Sequence, residues 1–121
     1  MKSILLVEDD PFLIDIYTTK LKESGFSVGI AEDGDDCLRK VKESPPDILL
    51  LDIVLPRVNG WEILRKIKQD EKLKQIEVII LSNLGEKDEV EKGMKMGAAR
   101  YLVKAHYTPT EVIKEIKKII K

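Results

Sequence analysis

Four groups of polar residues in this sequence stand directly after short apolar runs. Glu8, Asp9 and Asp10 follow Ile4–Val7, Asp52 follows Ile48–Leu51, Ser82 and Asn83 follow Val78–Leu81, and Lys104 follows Tyr101–Val103. Brought together, Glu8, Asp9 and Asp52 would repel and raise one another's pKa unless a cation neutralised them. With no His or Cys beside them, an oxygen-only set of this kind suits Mg²⁺, and Mn²⁺ fits the same ligands. Beside such an ion Asp52 can act as a nucleophile toward phosphorus, since carboxylates form aspartyl phosphates and phosphoryl transfer needs chiefly positioning and charge stabilisation. Lys104 would supply a further positive charge. The Ser82 hydroxyl is suited to bond a phosphoryl oxygen, and bonds to charged partners are about twice as strong as neutral ones.

For those groups to meet, the apolar runs must be strands of one sheet. Ile4–Val7, Ile48–Leu51 and Val78–Leu81, with the shorter Val28–Ala31 and Tyr101–Val103, are strand-length and rich in Ile, Leu and Val. Between them run segments with helical spacing: Phe12, Leu13, Ile16, Tyr17 and Leu21; Cys37, Leu38 and Val41; Trp61, Ile63, Leu64 and Ile67; Val90 and Met94; and Val112, Ile113, Ile116, Ile119 and Ile120. Asp10-Pro11 and Thr108-Pro109 place a capping residue before an N1 proline, and Thr108 with Glu111 forms a capping box. Gly25 and Gly97 read as helix stops. Five alternations of strand and helix predict an α/β domain whose parallel sheet is covered on both faces. In such a sheet ligands bind outside the carboxyl ends of the strands, where all four polar groups fall.

Composition narrows the function classes. A length of 121 residues is that of one ordinary domain, 1–121. Lys and Arg total 21 against 22 Asp and Glu, so no global basic field attracts nucleic acid, and direct nucleic-acid binding by this chain is not expected. No run reaches the roughly 18 apolar residues of a membrane span. The start lacks the long apolar region of a secretory signal, and a cytoplasmic location is expected. The lone Cys37 excludes an internal disulfide and a Cys-based zinc site, and its setting predicts a small, half-buried helix residue.

LLVEDDP, LLLDIVLPRVNGWEIL, IILSN and GAARYLVK, in that order and at that spacing, resemble the receiver domains of two-component response regulators, of which the single-domain chemotaxis regulator is the simplest. The resemblance covers essentially the whole chain. It implies a flavodoxin-like, doubly wound (βα)5 sheet of strand order 2-1-3-4-5, and a phosphorelay switch rather than an enzyme acting on a separate substrate. Asp52 would be the phosphoacceptor. Asp9 would be the direct ligand of Mg²⁺, with Glu8 reaching it through water and the Val54 backbone carbonyl completing the protein's share. Ser82 would sense the phosphoryl group, Lys104 would pair with it, and Tyr101 would swing inward on activation. The implied donor is a sensor histidine kinase or phosphotransfer protein. The implied output is a protein partner or homodimer on the face of the fourth helix, fifth strand and fifth helix.

Two positions depart from the family pattern. After Lys104, where proline with a cis bond is common, the chain has Ala105 and then His106. A cis bond to alanine would cost roughly 2.5–4 kcal/mol against about 0.5–1 for proline, so that isomer is no longer favoured. Asn83 replaces a small residue beside Ser82, and Val54 and Leu84, flanking the phosphoryl position, cannot steer an attacking water. Slow self-dephosphorylation is therefore expected. Two rivals fare worse. A Mg²⁺-dependent aspartyl-phosphate phosphatase needs a second acid two residues after its nucleophile, where this chain has Val54. A flavodoxin-like cofactor binder needs free backbone amides after the first strand, where Glu8, Asp9 and Asp10 would repel a phosphate. Trp61 and His106 read as a packing residue and an exposed loop residue.

Overall fold

Successive side chains of a strand point to opposite faces, so a run such as Ile48–Leu51 can be apolar throughout only where both faces are covered. The computed structural model, which describes residues 2–120, meets that condition. Strands β1 (Ser3–Val7), β2 (Ser27–Ala31), β3 (Ile48–Leu51), β4 (Glu77–Ser82) and β5 (Arg100–Val103) alternate with helices α1 (Pro11–Glu23), α2 (Gly34–Glu43), α3 (Gly60–Gln69), α4 (Lys87–Lys95) and α5 (Pro109–Ile119). The strands pair in parallel in the order β2-β1-β3-β4-β5. Leu5, Val7, Leu49, Leu51, Val78 and Ile80 pack on one face with Cys37 and Val41 of α2 and Ile63, Leu64 and Ile67 of α3. Ile4, Leu6, Ile48, Leu50, Ile79 and Leu81 pack on the other with Tyr17 and Leu21 of α1 and Val112, Ile113 and Ile116 of α5.

The boundary signals act as expected. Asp10 Oδ1 accepts the Phe12 N–H at 2.9 Å, and Thr108 and Glu111 bond each other's backbone N–H at 3.2 and 2.8 Å. Gly25 and Gly97 have φ of 93° and 107°, the left-handed turn that ends α1 and α4. Four strands outrun their apolar cores: β1 begins at Ser3, β2 at Ser27, β4 runs from Glu77 to Ser82, and β5 begins at Arg100. Ser82 thus closes β4 instead of following it, because the ladder is set by backbone pairing and admits polar side chains at its ends. Cys37 is fully buried, not half-buried, and burial together with the Asp36 charge pushes its thiol up to about 12. Every described peptide bond is trans, including Lys104–Ala105, which opens a 3₁₀ turn at Lys104–His106. Among the described residues no helix is long and apolar enough to cross a membrane.

Two ties fasten the sheet's margins. Lys40 of α2 donates its ammonium to the Ile30 carbonyl on β2. Asp47, ahead of β3, accepts the Ser3 N–H at 2.8 Å and the Ser3 hydroxyl at 3.2 Å. That backbone bond, with the hydroxyl and nearby positive charge, holds the Asp47 carboxyl below its ordinary value. A lowered folded pKa contributes stability above the unfolded pKa that is lost as pH falls through the folded one. Asp47→Asn should therefore lower the melting temperature at pH 7, and melts in acid should show the deficit closing below about pH 4.

Candidate functional site

Register assembles the site. Val7 pairs with Leu51, so Glu8 and Asp52 leave adjacent strands at the same level, and Ser82 pairs with Val103, one residue before Lys104. The Asp52 N–H donates to the Val7 carbonyl at 3.1 Å and the Glu8 N–H to the Ala31 carbonyl at 3.0 Å, which extends the ladder to the two acids. Lys104 Nζ lies 2.7 Å from Glu8 Oε1 and 2.7 Å from Asp52 Oδ2, so one ammonium serves two buried carboxylates. The other Asp52 oxygen accepts the Val54 N–H at 3.1 Å, and Glu8 Oε2 accepts the Asp10 N–H at 3.2 Å. Asp9 is exposed beside them, and carboxylate oxygens of Glu8, Asp9 and Asp52 all lie within 4.8 Å of one another.

The electrostatics follow from that crowding. Burial pushes the Glu8 carboxyl up, the like charge of Asp52 adds to the shift, and Lys104 opposes it without cancelling it. Burial works against the Lys104 ammonium too, but its hydrogen bonds to Asp52 and Glu8 prevail and its pKa stands above the ordinary value. Two buried acids with one half-buried base leave negative charge over, and Asp9 adds to it at the surface. Three hard oxygen donors with surplus negative charge and one solvent-facing member fit a divalent cation of the Mg²⁺ type.

The hydroxyl side of the site is built differently. Ser82 is fully buried, and its oxygen accepts the Leu84 N–H at 3.3 Å. Among the described residues no hydrogen bond joins Ser82 to Asp52 or Lys104. Tyr101 already reaches across the loop after β4. Its hydroxyl donates to the Leu84 carbonyl, its ring is half-buried, and burial raises its pKa. The Trp61 ring lies 6.5 Å from it, and the Lys92 ammonium sits 4.4 Å from the Trp61 ring centroid, a cation–π contact between α3 and α4. Asn83, Ala105 and His106 are exposed, as is the Val54 side chain, while Leu84 is half-buried.

Sequence spacing gives no hint of the Trp61–Lys92 contact, whose partners are 31 residues apart on different helices. Nor does it show that Tyr17, spaced as a core residue of α1, has its hydroxyl within the fields of Lys104 and Glu8. Both follow from packing of helices across a sheet, which periodicity leaves open.

The family described as response regulator receiver domain matches residues 4–117. The chain is 30% identical over 120 residues to the phosphate regulon transcriptional regulatory protein PhoB of Escherichia coli K12, covering 99% of this chain and 52% of that protein. It is 29% identical over 120 residues to the alkaline phosphatase synthesis transcriptional regulatory protein PhoP of Bacillus subtilis 168, covering 99% and 49%. The chain thus spans about half the length of these curated relatives. Among solved structures it is similar to the receiver domain of the Francisella response regulator 1452, with a TM-score of 0.90, 26% identity and 100% of both chains covered. It is similar as well to the Mn²⁺-bound form of response regulator Rcp1, with a TM-score of 0.85, 29% identity, and 98% of this chain and 91% of the other covered.

Proposed function

Because the chain belongs to the response regulator receiver domain family, we propose that it is a phosphorylation switch in which Asp52 takes a phosphoryl group from a phosphohistidine on a sensor histidine kinase or phosphotransfer protein. The observation that carries this reading is the Lys104 ammonium held 2.7 Å from both Asp52 and Glu8 at the carboxyl edge of the sheet. Glu8, Asp9, Asp52 and the Val54 backbone carbonyl would hold Mg²⁺, or Mn²⁺, whose charge offsets that of the incoming phosphoryl oxygens. A carboxylate oxygen of Asp52 forms the new O–P bond as the donor's N–P bond breaks. Lys104 then exchanges a carboxylate oxygen for a phosphoryl oxygen and stays paired throughout. Ser82 is the hydroxyl offered to the phosphoryl group, and Tyr101, already tied to the Leu84 carbonyl, transmits its movement to α4. The output is a changed surface over α4, β5 and α5 that docks a protein partner or a second copy. The chain acts without contacting nucleic acid, in the cytoplasm, and its chemistry is confined to its own phosphorylation and dephosphorylation.

Intact-mass measurement after treatment with acetyl phosphate and Mg²⁺ tests this. One phosphoryl adduct is expected on the wild type and none on Asp52→Asn; no adduct on the wild type, or an equal adduct on the variant, overturns the assignment. The same spectra read the lifetime. Apolar Val54 and Leu84 predict an adduct that outlasts the measurement by minutes, and a half-life of seconds contradicts it.

A further inference from the structure

The segment that follows Asp52, residues 53–59, carries the Val54 carbonyl and the N–H that holds Asp52 Oδ1, so its placement sets the geometry of the site. Its inner side is fixed by α3. The Gly60 N–H donates to the Ile53 carbonyl at 2.8 Å, and a Cβ on Gly60 would fall 2.5 Å from Ile53 Cα. Its outer side rests on the start of α2. Arg57 adopts φ of 68°, the left-handed region that costs a side-chain-bearing residue strain, so it must be held there by its surroundings. Asp33, the N-cap of α2, touches both elements, one with each carboxylate oxygen. Oδ1 accepts the Asp36 N–H at 2.8 Å, and Oδ2 lies 3.5 Å from Arg57 Nε.

The next residue makes the contact a rigid one. Gly34 is buried, its N–H donates to the Pro56 carbonyl at 3.5 Å, and a Cβ added to it would lie 2.2 Å from the Val58 carbonyl oxygen, 2.5 Å from Val58 Cβ and 2.9 Å from Val58 C. Two of those three atoms are backbone and cannot rotate away. The loop is therefore gripped between two glycines, Gly60 inside and Gly34 outside, each lacking room for a single carbon atom.

The geometry points to Asp33 and Gly34 at the start of α2 as positioning residues of the Asp52 site, which set the β3–α3 loop, and with it metal binding, without touching the ion or the phosphoryl group. This rests on the metal reading given above. Helix propensity alone predicts that Gly34→Ala stabilises α2. Steric contact predicts that Val58 and Pro56 are pushed outward and the Val54 carbonyl with them.

Mn²⁺ binding followed by electron paramagnetic resonance separates the two, with thermal melts in chelator as the companion measurement. Gly34→Ala is expected to bind Mn²⁺ about tenfold more weakly than the wild type, as loss of a support around metal ligands commonly does. Arg57→Gly keeps the left-handed φ, removes the ion pair from an exposed side chain, and should weaken binding about two- to fivefold with little change in melting temperature. Unchanged affinity in both variants, or a loss that merely tracks unfolding of the metal-free protein, overturns the inference. Asp9→Asn distinguishes the underlying reading: if the wild type fails to bind Mn²⁺, or Asp9→Asn binds equally well, the metal site itself is wrong and the inference falls with it.

Discussion

A Lys104→Ala variant is expected to lose roughly 3–5 kcal/mol of stability in metal-free buffer at pH 8, the cost of leaving buried charges without their partner. Among the described residues Lys104 is the single ammonium bonded to both Glu8 and Asp52, and neither acid has room to turn to water: they are 3% and 6% exposed. Without it, the Glu8 carboxyl, already pushed up by burial, loses the ammonium that opposes the shift. A folded pKa raised above the unfolded value contributes stability below the unfolded pKa that is lost as pH rises through the folded one. The variant's deficit should thus be small near pH 4 and grow toward neutrality. Melts across that range measure it, and a deficit independent of pH would show that Lys104 acts through packing alone. Added Mg²⁺ should raise the variant's melting temperature more than the wild type's, because a ligand stabilises in proportion to the logarithm of its concentration over Kd, and removal of a competing cation tightens Kd. Phosphoryl acceptance should nevertheless fall sharply, since Asp52 would lose the charge that follows the phosphoryl oxygens.

The second large effect lies on the output side. Gly93 of α4 is buried, and a Cβ there would stand 2.7 Å from Tyr101 Cδ2 and 2.8 Å from Ile80 Cδ1. Gly93→Ala should therefore expel the Tyr101 ring and break its bond to the Leu84 carbonyl, at a cost of about 1–3 kcal/mol. A double-mutant cycle with Tyr101→Ala isolates the cause. If the clash is with the ring, the cost of the added methyl largely vanishes once the ring is removed, whereas additive costs would place the strain at Ile80. Trp61, 6.5 Å from that ring, offers fluorescence as an independent signal of the displacement.

How much of this could be read from the residues alone varies with the kind of interaction. Ile48–Leu51 and Val78–Leu81 announce buried strands because uninterrupted apolar residues need two covered faces, and Asp10-Pro11 and Thr108-Pro109 announce helix starts through local chemistry. The convergence of Glu8, Asp9, Asp52 and Lys104 was legible once the strands were taken as parallel, since each group sits just past the end of one. That one ammonium bridges two acids was not, because it depends on Val7 lying level with Leu51 and on a trans Lys104–Ala105 bond entering a 3₁₀ turn. The grip of Gly34 on Val58 and of Gly93 on Tyr101 was equally hidden. Both are contacts between elements distant in sequence, and a glycine inside a helical segment gives no sign of what presses against it.

The Lys40 tie to Ile30 bears on how the protein behaves in crowded solution. Strand β2 is an edge, and the Ala31 carbonyl faces inward to the Glu8 N–H, so the Ile30 carbonyl faces away from the sheet. An outward carbonyl on a β margin is the acceptor that an intruding strand would use to begin fibrillar growth or domain swapping. By occupying it with its own side chain, α2 denies a sixth strand its first rung and places a positive charge where a neighbouring backbone would have to lie.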